Sequence, residues 1–160
     1  LSLLLTLLCA VIAAPVFASD AKLHDYVVFG FHGAEIIVTD GKYLYMNAPE
    51  HPEDPYYEYT LMPTHMRARF GVHELSEMEL AEPFRFTKGL KTLKIRCLGS
   101  QVGGGKEPLV SRLYDIEKDP GQLQEIEDAE VIQKMKARIR EYMIATDAPK
   151  ELYHRYGIEQ

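Results

Sequence analysis

The chain has 160 residues, 46% of them hydrophobic and 26% charged, with 18 Lys and Arg against 24 Asp and Glu for a formal charge of −6. That length suits one domain with a real core. The acidic balance excludes sequence-independent binding to DNA or RNA, which needs a basic surface to displace counterions from phosphates, so no nucleic-acid partner is expected.

Residues 1–18, LSLLLTLLCAVIAAPVFA, are apolar throughout and close on Val16-Phe17-Ala18. Compact residues at the first and third of those places suit a signal peptidase. The stretch reads as a signal-peptide-like leader cut after Ala18, which would make 19–160 a secreted or periplasmic domain. A membrane anchor and a buried helix are the other readings of such a run. Pro15 and the abrupt Ser19-Asp20 argue against an anchor, and no stable membrane span is expected. Against a leader, the chain begins with Leu1 rather than Met and shows no basic n-region, as a sequence without its true start would, and Leu8 before Cys9 is too large for a lipoprotein signal. Once the leader is removed, Cys97 is the one remaining thiol, so no internal disulfide can form. At the end of TLKIRCL it reads as a small buried apolar residue rather than a nucleophile.

After the leader, Tyr26 to Phe31 is aromatic and β-branched and predicts a strand that His32-Gly33 breaks. Glu35 to Thr39 and Lys42 to Met46 flank Asp40-Gly41, a strong hairpin signal, so three consecutive antiparallel strands are expected between 26 and 47. From Asn47 to Pro63, Pro49, Pro52, Pro55 and Pro63 interleave with Tyr56, Tyr57 and Tyr59. Missing backbone donors predict loop there, with the tyrosines covering a surface or lining a cleft. The segment 47–110 as a whole reads as a long, loop-rich insertion. Within it HELSEMELA, 73–81, has a helical composition that Pro83 would end, and Phe84 to Phe86 and Thr92 to Leu98 read as short strands. Gly99 to Pro108 reads as a solvated loop. Its Gly105-Lys106 lacks the glycine five places before Gly105 and the following Ser or Thr that a phosphate loop needs, because those places hold Ser100 and Glu107.

The stretch LYDIEKDPGQLQEIED, 113–128, is the most informative. Ser111 to Asp115 reads as a fourth strand, Asp119-Pro120-Gly121 as the turn that follows, and Asp128 as the cap of a helix. In that helix Ile132, Met135, Ile139, Tyr142 and Met143 recur at helical spacing, with carboxylates at its start and basic residues later, as its dipole favours. The fold class expected is α+β: a small antiparallel sheet of about four strands carrying a packed C-terminal helix.

Phe29-Gly30-Phe31-His32-Gly33, Val38-Thr39-Asp40-Gly41-Lys42-Tyr43 and above all Leu113 to Pro120 with its helix resemble the C-terminal subdomain of the sulfatase family, the formylglycine-dependent branch of the alkaline-phosphatase superfamily. In that family a strand ending in Leu-Tyr-Asp leads through Asp-Pro into the last helix, after a small antiparallel sheet. Tyr59 to Met66 and Phe86 to Gly89 also look like an insertion of some bacterial sulfatases, and the likeness covers roughly 24–145. It implies a sulfuric ester hydrolase whose calcium and formylglycine lie in a catalytic domain missing from this chain, the chain's chief partner. The nucleophile motif, Cys or Ser, any residue, Pro, any residue, Arg, is absent, and Gln122 and Glu125 stand where the family commonly has Glu and Asn. No residue here is expected to be catalytic or to bind metal, and the chain alone is not expected to hydrolyse esters. The other reading is a secreted, non-catalytic binding or accessory module.

Sulfate-ester chemistry needs an activated nucleophile, cations for the sulfuryl oxygens and an acid for the leaving alcohol. His65, Arg67 and Arg69, beside the tyrosine-rich segment, are the candidate anion-facing group, and His32 at a strand end is a further substrate-binding candidate, against a solvated basic loop and a structural histidine as the plainer readings. A sulfated substrate reached through the parent enzyme's cleft is the ligand this implies. His65 and His73 are too widely spaced for a zinc site. The carboxylates Glu117, Asp119, Glu125, Glu127 and Asp128 read as turn formers, cap and solvent face rather than as a calcium loop.

Overall fold

A computed structural model describes residues 24–62, 64–65, 67–97 and 109–159. The expected leader and the Gly99 to Pro108 loop lie outside the described residues. Seven strands form two antiparallel sheets. The larger, in the order β1-β2-β3-β7, comprises β1 (Val27–Gly30), β2 (Ile36–Thr39), β3 (Tyr43–Asn47) and β7 (Arg112–Asp115). The smaller, β4-β6-β5, comprises β4 (Tyr57–Thr60), β5 (Glu79–Ala81) and β6 (Thr92–Arg96). Among the described residues there are also three α-helices: α1 (Val72–Leu75), α2 (Ala129–Ala145) and α3 (Lys150–Arg155).

The larger sheet and its helix follow the sequence closely. The β2–β3 turn centres on Gly41-Lys42, one residue later than Asp40-Gly41 suggested, with Gly41 at φ +91° and the Asp40 N–H bonded to the Tyr43 carbonyl at 3.2 Å. Glycine in the first central place of a two-residue turn matches the strand twist without a Cβ penalty. The Asp40 carboxylate accepts the N–H groups of Lys42 and Tyr43, at 3.1 and 2.9 Å, and the guanidinium of Arg138 at 2.6 Å, so one side chain closes the turn and ties it to α2. Asp128 caps α2 by accepting the N–H groups of Glu130 and Val131, both at 3.1 Å.

Alternation along the strands and the cross-strand register place Val28, Val38, Tyr45 and Leu113 on one face. Against it α2 lays Met135, Ile139 and Met143, and the chain after it adds Tyr153, Tyr156 and Ile158, completing a single buried cluster. Tyr142, expected on the apolar stripe, is 42% exposed at its margin. The segment after α2 was not anticipated as a core element. It enters through Asn47, whose side-chain amide donates to the Tyr156 carbonyl at 3.0 Å, and through Tyr156, whose hydroxyl donates to the Ala34 carbonyl at 2.5 Å.

The insertion departs from expectation at three places. The 47–63 loop contains β4, because the prolines fall on either side of Tyr57–Thr60 and leave its backbone donors intact. The 73–81 helix is one turn only, and its second half is β5, paired with β6 at Glu79↔Lys94 and Leu80↔Leu93. A longer helix would need an apolar stripe to bury. Leu75, Met78 and Leu80 instead remain 41%, 41% and 64% exposed, and strand pairing overrides helical composition. Phe84 to Phe86 is no strand: Phe84 opens a 3₁₀ turn, Arg85–Thr87, whose Thr87 N–H returns to the Phe84 carbonyl at 3.0 Å.

Candidate functional site

An antiparallel bridge joins Thr64 to Arg69, followed by Phe70, which is buried, and Gly71, which opens α1. This places His65 over α1. Its ring stands edge-on to Phe70 at 4.4 Å between centroids, and its Nε2 lies 2.8 Å from Oε1 of Glu74. Glu74 is only 7% exposed, and its second oxygen accepts the Gly71 N–H at 2.6 Å. A buried carboxylate demands such partners, so Glu74 both closes the turn and fixes the imidazole. With Nε2 engaged, Nδ1 is the ring nitrogen left for another group. Arg67 and Arg69 are exposed on the same short hairpin and make no ion pair with the described residues. His65, Arg67 and Arg69 thus share one short segment, one imidazole held by Glu74 and two exposed guanidinium groups, residue types suited to an oxyanion through charge and bidentate hydrogen bonding.

His32 is elsewhere. It sits in the turn after β1, closed by the Ala34 N–H to the Phe31 carbonyl, with Nε2 3.3 Å from the Tyr57 carbonyl and its ring 5.0 Å from that of Tyr56. It shares no partner with His65, and its contacts are those of a histidine joining β1 to the start of β4.

The tyrosines divide between these regions. Tyr56 is buried, its ring under the Arg155 guanidinium at 4.8 Å, and burial pushes its hydroxyl up to about 12. Tyr59 donates to Glu151 at 2.5 Å, and burial together with that carboxylate raises its pKa. Tyr57 lies beneath Lys94 at 4.1 Å. Tyr56 and Tyr59 fasten the small sheet to α3, Tyr57 packs within that sheet, and none of them faces His65 in a described contact. Cys97 is likewise buried, and its thiol is pushed up to about 11, chiefly by burial, so it holds little thiolate at neutral pH. The acidic stretch resolves into local roles: Asp119 accepts the N–H groups of Leu123 and Gln124, and Glu125 pairs with Arg112 at 3.2 Å.

One cluster escaped the sequence reading. The rings of His51 and His154 stack at 4.2 Å, with Nδ1 of His154 2.6 Å from Asp54 and Nδ1 of His51 3.5 Å from Glu53. They border an open groove of about 410 Å³ that Lys150, Tyr153 and Glu159 also line. Nothing in residue spacing joins the turn after Ala48 to α3, and only the fold brings them together. Buried Arg155 organises the junction, with Nη1 donating to the carbonyls of Pro52 at 3.1 Å and Asp54 at 2.7 Å.

Among the described residues no three His, Cys, Asp or Glu side chains converge as metal ligands. No helix among them is long and apolar enough to cross a membrane. No family model, curated protein or solved structure matches the chain.

Proposed function

We propose that the chain is the C-terminal part of a sulfuric ester hydrolase, and that His65, Arg67 and Arg69 form a sulfate-facing lip beside a catalytic domain outside this chain. The observation that carries the reading is the order strand, turn, helix. β7 ends on Asp115, Asp119 accepts the N–H groups of its own turn, and α2 returns over the sheet that β7 completes. This is the arrangement that Leu113 to Pro120 suggests by resemblance. The lip supports it chemically: a histidine held by a buried carboxylate, next to two arginines, suits a sulfate group, and the chain supplies no nucleophile motif to attack one.

Two experiments test it. Sequencing the coding region upstream of Leu1 should reveal the Cys or Ser, any residue, Pro, any residue, Arg motif in frame; an initiation site directly before Leu1 overturns the reading. The purified chain should show no turnover of an aryl sulfate, and steady hydrolysis that His65→Ala abolishes would contradict a supporting role. The second reading, a non-catalytic binding module, draws on the exposure of Arg67 and Arg69, and predicts sulfate affinity in the chain alone that Arg67→Ala and Arg69→Ala remove.

A further inference from the structure

β1 is an edge strand. It pairs with β2 on one side, and no described residue pairs with its other side. Edges in stable proteins are blunted by charge, proline or a bulge. This one has none of these: no charged residue or proline lies between Tyr26 and Phe31. Its face away from α2 is apolar, with Val27 48% and Phe29 49% exposed, and Phe31, one residue past the strand, is 81% exposed. Along the edge, a groove of about 250 Å³ between β1 and the end of α2 is bordered by Val28, Ile36, Tyr142 and Leu152.

The backbone of this edge is poised for pairing. The Asp40–Tyr43 bond sets the parity of β2: Asp40, Val38 and Ile36 turn their backbone groups toward β3, and Thr39 and Ile37 toward β1. Their partners Val27 and Phe29 therefore use theirs inward, which leaves the N–H and C=O of Val28 and Gly30 facing outward.

We infer that β1 pairs antiparallel with β1 of a second copy of this chain, about a two-fold axis at Phe29, to make a continuous eight-stranded sheet. The register follows from symmetry and side chains. A two-fold axis normal to the sheet keeps each residue on its own face, so facing residues must be an even number of places apart. Centring on Val28 would set the Asp25 carboxylate against Phe31 of the other copy, an apolar ring facing a charge. Centring on Phe29 sets Phe29 against Phe29 and Val27 against Phe31, and places Val28 opposite Gly30 with their outward backbone groups in register. Every exposed apolar side chain of the edge then meets another, and the uncharged run lets two identical strands approach without like charges facing. This inference stands apart from the sulfatase reading.

The test uses the full chain in sedimentation equilibrium. Wild type should have twice the chain mass. Phe29→Lys should raise the dissociation constant on the order of a hundredfold, since it buries two like charges at the axis, while leaving the far-ultraviolet circular dichroism unchanged. Phe29→Cys should form a disulfide-linked dimer under mild oxidation, because residues facing themselves at a non-hydrogen-bonded site approach closely, and Val27→Cys should not. A wild-type monomer at all concentrations overturns the proposal. So does a dimer that Phe29→Lys leaves intact, which would move the contact to another surface such as the apolar residues 1–18, and so does equal cross-linking of the two cysteine variants.

Discussion

The two sheets of this chain are held by different forces. The larger rests on one apolar cluster in which Val38, Met135 and Ile139 are wholly buried, and every member of it comes from the larger sheet, α2 or the tail after α2. The smaller contributes nothing to that cluster. It buries Phe70, Ile95 and Cys97, keeps Leu80, Phe86 and Leu90 60% or more exposed, and relies on cross-strand pairs such as Glu79 with Lys94 and Glu77 with Arg96. Exposed ion pairs contribute little, about 0–1 kcal/mol each. A sheet can therefore be regular in its hydrogen bonds and still be thin in free energy, and the candidate lip sits beside the thin one.

That contrast can be broken by measurement. The largest effect should come from Met135→Ala or Ile139→Ala, which open a cavity in the only extensive core among the described residues and should cost about 2–5 kcal/mol in urea unfolding. Leu80→Ala, in the smaller sheet, should change stability by less than about 0.5 kcal/mol. Comparable losses at the two sites would show that the sheets share one core. Hydrogen exchange sharpens the point, since amides of β2 and β3 should exchange through global unfolding and those of β4 to β6 through easier local opening.

Next in size is Asp40. Burial alone would raise its pKa, but the N–H of Tyr43, the Arg138 guanidinium and the N–H of Lys42 together hold it well below the usual carboxylate range. A depressed folded-state pKa stabilises the native state above the ordinary aspartate value near 3.9, and that contribution is lost as pH falls through the folded value. Asp40→Asn should therefore lower stability at pH 7 by about 1–3 kcal/mol and flatten the loss below pH 4 in thermal melts. An unchanged acid limb would remove Asp40 from the account of how the hairpin is tied to α2. A smaller loss than at Asp40 is expected for Asp128→Ala, where losing the cap of α2 should cost about 1 kcal/mol, read as a modest shift in the urea midpoint.

What could be read from the sequence follows the same division. Tyr26 to Met46 and Leu113 to Met143 were legible because their apolar periodicities answer to one core, and Asp40, Gly41 and Asp128 act through neighbours a few residues away. β4 and β5 were not legible: Tyr57–Thr60 is hidden among prolines, and HELSEMELA has helical composition in a place with nothing for a helix to pack on. His65, Arg67 and Arg69 could be grouped because they are close in sequence. Glu74, which gives His65 its orientation, looked like an ordinary helix residue, and the stacked His51 and His154 meet because Arg155 and the His154–Asp54 pair hold α3 to the distant turn.

Because β3 and β7 lie side by side, everything from Ala48 to Ser111 is one excursion whose two ends meet at neighbouring strands. Closing an excursion costs free energy that grows only with the logarithm of its length, about 0.6 kcal/mol for each doubling. The main scaffold is thus nearly indifferent to how large that cassette is. Its outer part, beyond the ties that Tyr56, Tyr59 and the carbonyls of Pro52 and Asp54 make to α3, is therefore the place where such an architecture can lengthen and acquire a new recognition surface at little structural risk.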